Sequence, residues 1–297
     1  MPPLLTAAEL TDLGKPPADQ LRDAVATQTT DDAVRTFARL ERGYRNFIDG
    51  FHEFTAATRE YVLGAHGFAA LGALDRDAFR AAVRSAWRVE TAPDSAALDT
   101  SKDHAGPFRA ALEANDIAGA LAVFAALEAD LRTIHDVAAE QVAACLSAVY
   151  RAFGVDELEA CIRHCGDRTL LGWMPDDLAR PAEVRIRQWA RMMLGNFASI
   201  RVEETDDAFV ITQDPCGTCS RQVLAGRYDE PDGFAVVVEP HRITWDRGGV
   251  PVYRTHVAVM HDLMPLERIG QRWPEISCPQ GLDAGPCRVV LRKKPGP

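Results

Sequence analysis

No stretch of this 297-residue chain approaches the roughly 20 apolar residues needed to cross a bilayer, so a membrane-spanning segment is not expected. The start, Met1 to Leu5, lacks a basic segment followed by an apolar one, which excludes an ordinary secretory leader and points to the cytoplasm. Basic clusters are also scarce. The one notable run is Arg292-Lys293-Lys294, and with a formal net charge of -10 the chain is not built to neutralise a phosphate backbone, so no nucleic-acid partner is expected. Also missing are a P-loop, a dinucleotide-binding fingerprint, a serine-hydrolase elbow and an internal repeat, and their absence ranks nucleotide and serine-hydrolase chemistry low. The seven cysteines are odd in number and unevenly grouped, unlike a secreted disulfide framework, and fit reduced thiols or metal ligands better.

What is present divides at residue 198. From Thr6 to about Ser199, apolar residues recur at three and four positions in a background rich in Ala, Leu, Arg and Glu, which predicts helices. The clearest begins at Thr30 or Asp31 and runs to Leu63, with Val34, Phe37, Leu40, Tyr44, Phe47, Ile48 and Phe51 on one face. Others are predicted near 18–28, 75–88, 105–115, 117–131, 133–153, 155–165 and 181–196, with breaks at Pro93, Gly106-Pro107 and Pro175. Beyond Ile200 the period becomes two. Residues 200–205 and 208–212 read as a hairpin about Asp206-Asp207, 234–238 and 287–292 as further strands, and 256–269 as a short helix limited by Pro265. The expected class is therefore α+β, with a helical region over 1–198 and a Cys/His-rich module with a small antiparallel sheet over 199–297, as two domains or as one integrated unit.

That module holds four of the seven cysteines and three of the eight histidines. Cys216-Gly217-Thr218-Cys219 follows a predicted strand, where glycine lets a turn direct two sulfurs to one point. With Cys278 and Cys287 it would make a closed sulfur set for zinc, although the second pair is nine positions apart rather than three. Cys216, His241 and His256 form an alternative three-ligand set that leaves a coordination position open. Iron is the second candidate metal. Buried thiols at a turn, or a reversible redox pair, are the plainer reading of the same motif.

His241, His256 and Glu239 are candidates for acid-base chemistry, with His261, Asp214, Asp262 and Glu267 as supporting groups. Trp245, Arg247 and Tyr253 are candidates for shaping a substrate pocket, and Arg242, Arg247 or Arg254 for holding an anionic group. In the helical part Cys161 and Cys165, one turn apart, read as core residues before they read as ligands. Tyr44, Phe47, Phe51, Phe54 and Tyr61 form an aromatic face that reads as core or as the wall of a ligand cavity.

The stretch 275–290, with Cys278, Gly281 and Cys287, resembles the closing segment of 4-vinyl-reductase-type small-molecule-binding domains, and the ends of L-2-amino-thiazoline-4-carboxylate hydrolase-like proteins. The spacing between the cysteines is longer here, and Val289 stands where those proteins carry an aromatic residue. The resemblance implies an α+β ligand pocket.

The leading expectation is a zinc-dependent hydrolase or lyase acting on a small polar molecule. A metal-stabilised sensor or binding protein is the second, and a metal-independent thiol enzyme with Cys216 as nucleophile the third.

Overall fold

The computed structural model describes residues 3–87, 102–229 and 233–294, and it has the expected α+β class. The break expected at Pro93 lies outside the described residues.

Helices dominate the first two thirds: α1 (Ala7–Leu13), α2 (Pro17–Thr27), α3 (Thr30–Trp87), α4 (Ala105–Glu113), α5 (Ile117–Phe153), α6 (Val155–Arg168), α7 (Met174–Leu178) and α8 (Ala182–Gly195). The α3 span holds two helical limbs: at Gly67 the backbone leaves helical geometry (φ 80°, ψ −178°), four residues past the end expected at Leu63, and the second limb contains the helix expected from residue 75 as far as Trp87. Two other helices correct the sequence reading. The segments 117–131 and 133–153 are the single helix α5, since no glycine or proline separates them. Gly106-Pro107 starts α4 rather than breaking the chain. Asp103 accepts from the amides of Ala105 and Gly106, and the N–H that Pro107 lacks would have no partner in a first turn.

A four-stranded antiparallel sheet follows, in the order β1 (Ile200–Glu204), β2 (Ala208–Gln213), β6 (Cys287–Arg292) and β5 (Glu275–Ser277). The hairpin and last strand agree with the alternation read from sequence, whereas β5 was missed because three residues are too few to show a period. The strand expected at 234–238 shrinks to β3 (Val236–Val237), which pairs only with β4 (Val250–Pro251). Between the hairpin and β3 lies a short helix, α9 (Cys219–Leu224).

The expected helix at 256–269 is composite: α10 (Thr255–Val257), a π-helical turn (Ala258–Leu263) and α11 (Met264–Ile269). Pro265 sits in the first turn of α11. Its missing N–H leaves the His261 carbonyl free to accept from Trp273 N–H at 3.0 Å, which ties this helix to the loop before β5.

The core is continuous across residue 198. Phe51, Val142, Ile162 and Trp189 from the helices pack in one cluster with Phe209, Trp273 and Val289 from the sheet side. Each layer also holds a buried ion pair of its own. Arg185 of α8 pairs with Asp177 at 3.0 Å, and Lys293 with Glu204 at 2.7 Å. Among the described residues no helix is long and apolar enough to cross a membrane.

Candidate metal centre and the adjoining cavity

Strand register explains how distant cysteines meet. Cys287 opens β6 opposite Gln213, the last residue of β2, and Ser277 of β5 lies opposite Arg288. Continuing that antiparallel register one step sets Cys278 beside Cys287, so the nine-residue spacing is that of two adjacent strands and the loop between them. Cys216 follows β2 by three residues, after the cis Asp214–Pro215 bond, and lies at the same end of the sheet. The loop is held by Asp214 N–H donating to Ser199 O at 2.8 Å.

Cys219 begins α9, placing its sulfur 3.1 Å from that of Cys216. The Ser220 amide donates to Cys216 Sγ at 3.1 Å. Cys216, Cys219 and Cys287 are all buried, and their sulfurs lie within 4.8 Å of one another, a group able to hold a metal ion. Cys278 adds a fourth thiol, within hydrogen-bonding reach of Cys219 and Cys287.

The electrostatics are those of several donors around one thiolate. Cys219 is held well below the ordinary thiol range because Cys216, then Cys278 and Cys287, donate to it, with the Arg254 charge adding to the effect. Cys216 is pushed up to about 11, chiefly because its S–H donates to Cys219. Cys278 and Cys287 are raised for the same kind of reason, Cys278 by its bond to Cys219 and Cys287 first by its bond to Cys216.

Arg254 is a clamp beside this cluster. It is 1% exposed and donates to the carbonyls of Pro279, Gly281 and Asp283, which fixes the loop joining Cys278 to Cys287. Among the described residues it has no carboxylate partner, and its charge faces Cys219, Cys278 and Cys287 instead. The expectation that Arg254 binds a substrate anion therefore gives way to a role in the protein's own loop.

All four sulfurs line a cavity of about 1030 Å³ between α3, α8 and the composite helix. Phe47, Phe51 and Phe54 of the aromatic face border it, as do Tyr44 and Trp189, so that face is cavity wall as well as core. Tyr61 does not join them and donates to Glu157.

Two histidines complete the wall. His256 Nδ1–H donates to the Tyr253 carbonyl and His261 Nδ1–H to that of Trp273 at 3.0 Å, which leaves each Nε2 as the acceptor. Their ring centroids are 6.4 Å apart. Burial lowers the affinity of both for a proton, and His261, with His256 beside it, is brought down to about 4. Neutral imidazoles facing a cavity can accept a proton or a hydrogen bond from whatever occupies it.

The remaining candidates lie elsewhere. His241 caps a short 3₁₀ turn, its Nδ1 accepting from Ile243 N–H and its Nε2 bonded to Asp156 at 3.1 Å, so neither ring nitrogen is directed to the thiols. Glu239 accepts from Tyr150 at 2.5 Å, Glu267 pairs with Arg163 at 2.7 Å, and Arg242 pairs with Glu159 at 2.6 Å. Asp214 is exposed. Tyr253 lines the large cavity. Trp245 and Arg247 border a second cavity of about 370 Å³ that touches Cys278 from another side, where Trp245 Nε1 donates to Asp262 at 2.8 Å. Cys161 and Cys165 are buried in the helical core beside Thr58.

Comparison with family models, with curated proteins and with solved structures finds no match to this chain.

Proposed function

We propose that this protein is a metal-dependent enzyme, with zinc the first candidate and iron the second, acting on a small molecule bound in the large cavity. The observation that supports this most is the placing of the thiol cluster on the cavity wall beside two neutral imidazoles, rather than inside a closed knuckle. Cys216, Cys219 and Cys287 would hold the ion and Cys278 would take or yield the fourth position, as suits a catalytic site. A bound ion would supply Lewis-acid polarisation of a substrate oxygen or nitrogen. His256 and His261 would accept a proton at Nε2, and the aromatic wall would exclude water. The resemblance of residues 275–290 to ligand-binding domains is consistent with a pocket at this place, although the walls suit a larger and less polar molecule than the sequence led us to expect.

A second reading has its own support. If Cys278 ligates permanently, the four sulfurs saturate the ion, and the protein is a metal-stabilised binding protein or sensor. The thiol-enzyme reading with Cys216 as nucleophile is the weakest, because that thiol is buried and is raised by its bond to Cys219.

The test is elemental mass spectrometry on untagged protein, wild type and Cys216→Ala, with visible absorption to separate iron from zinc. Near-stoichiometric metal that is lost in the variant is expected. A folded wild type without metal would overturn the proposal.

A further inference from the structure

The chain carries 43 acidic and 33 basic residues, yet among the described residues the large cavity is lined by five arginines and a single carboxylate, Glu53. Two of the five are satisfied within the protein. Arg187 pairs with Glu9 at 2.7 Å, and Arg180 bonds to Gln188. The other three are Arg39 and Arg42 of α3 and Arg191 of α8. Arg39 donates to the neutral Gln20 at 3.0 Å, and its guanidinium is pulled below its ordinary range by burial and by repulsion from Arg191 and Arg42. Among the described residues none of the three has a carboxylate within ion-pair distance.

Neighbouring arginines behave differently. Arg35 pairs with Asp32 and Arg45 with Glu41 on the same helix. Acids are thus close in sequence but serve other cations. Arg39 lies close enough to Arg42 and Arg191 to be repelled by both, and an oxyanion placed among the three would relieve that, since each guanidinium presents a fork of donors matched to carboxylate or phosphate.

Helix α3 connects this cationic end to the thiol end. Arg42 and Phe54 are twelve residues apart on it, about 18 Å at 1.5 Å per residue. Phe54 meets His256 edge-on, with ring centroids 6.3 Å apart. Phe47 and Phe51 occupy the interval and present apolar surface. Arg42 and Arg191 are exposed, so the cationic end is also the end that meets solvent, whereas the thiols are at the buried end.

We infer that the cavity takes an amphipathic anion: an oxyanion head held by Arg39, Arg42 and Arg191, and an extended apolar body lying along Phe47, Phe51 and Phe54 with its far end at the thiol centre. The inference rests on the cavity being the substrate site and names the class of molecule it takes. It does not depend on which metal is bound.

The experiment is a fluorescence titration of the full chain with cis-parinarate, a long-chain carboxylate that brightens in apolar surroundings, using wild type and Arg42→Gln/Arg191→Gln. Both side chains are exposed, so the double variant keeps its core, and circular dichroism checks that it does. Competition with dodecanoate, dodecyl phosphate and dodecanol separates the head groups, and metal content is measured on the same samples. The expected result is saturable binding weakened at least tenfold in the double variant, with displacement by dodecanoate or dodecyl phosphate and not by dodecanol. The stronger of the two anionic competitors identifies the head. Equal binding by the double variant, equal displacement by dodecanol, or no binding to the wild type would overturn the inference. Binding by a metal-free protein would uphold it while removing the metal reading, and metal without binding would do the reverse.

Discussion

Gly217 has no room for a side chain, because a Cβ added there would fall 1.5 Å from the carbonyl oxygen of Asn196. That contact presses the cysteine loop against the end of α8. Asn196 is itself fixed by His135, whose Nε2 bonds to its Oδ1 at 2.8 Å. The clash is with backbone, so Gly217→Ala must push the loop away. It should cost about 3 kcal/mol, the upper end for overpacking, and should lower metal content by separating Cys216 and Cys219 from Cys287. Urea denaturation with elemental analysis would measure both. Unchanged metal with unchanged stability would show that the contact is not what sets the loop.

Arg254 should matter more for the centre than for the cavity. Replacing it by Met removes the donors to three carbonyls of the loop 279–283 and the one cation near the sulfurs among their described neighbours. Loss of a buried charged donor that leaves partners unsatisfied costs about 3 kcal/mol. Metal affinity, read by competition with a coloured chelator, should fall at least tenfold. Arg254→Lys, with one ammonium in place of a fork, should recover part of the loss.

His261 predicts acid sensitivity. Its folded value of about 4 lies below the ordinary 6.5, so between those limits the unfolded chain binds a proton that the folded chain refuses. Stability from this group is therefore complete above pH 6.5, declines as pH falls, and levels off below about pH 4. The total is about 3 kcal/mol, because the ring is buried and little screened. Urea midpoints at pH 7.0 and 5.0 for wild type and His261→Gln would check this, with a smaller drop expected in the variant.

The buried pair Arg185–Asp177 gives a prediction remote from the centre. One oxygen of Asp177 accepts from Arg185 at 3.0 Å and from Trp273 Nε1 at 2.7 Å, and both acid and arginine are buried. Asp177→Ala leaves a buried guanidinium without its counter-charge and should cost about 3–5 kcal/mol. Because Trp273 N–H also holds the His261 carbonyl, the variant should loosen the composite helix, seen as faster amide exchange over 258–273.

Much of the fold was legible because its elements are long or strictly periodic. The apolar face from Val34 to Phe51 marks α3, and the alternation on both sides of Asp206-Asp207 marks the hairpin. The limits were local. The single helix α5 was read as two, and a three-residue strand such as β5 has no period to detect. At the site, the sulfur set was legible from residue type, but its means of assembly was not. The pairings of Gln213 with Cys287 and of Ser277 with Arg288 are long-range facts that make a nine-residue spacing ordinary. His241 drew attention by following a strand and a proline, but its Nε2 is taken by Asp156, 85 positions away. The unpaired arginines on the cavity wall carried no sequence signal, because an arginine's partner is visible only in three dimensions.

Cys278 decides between an open centre and a closed one. Its sulfur reaches Cys219 and Cys287 but stands outside the compact group formed by Cys216, Cys219 and Cys287, and it borders both cavities. A fourth ligand that completes a tetrahedron carries about as much binding energy as the others, whereas one that can be replaced by water or substrate carries less. Cys219→Ser should abolish metal binding on either account. Cys278→Ser separates them: an open centre keeps its metal with affinity reduced about 10–100-fold, and a closed one loses it as completely as Cys219→Ser does. Metal stoichiometry after dialysis against graded chelator, run on both variants together, reads the difference. Retention in Cys278→Ser alone would favour chemistry at the metal, and loss in both would favour a structural ion beside a binding cavity.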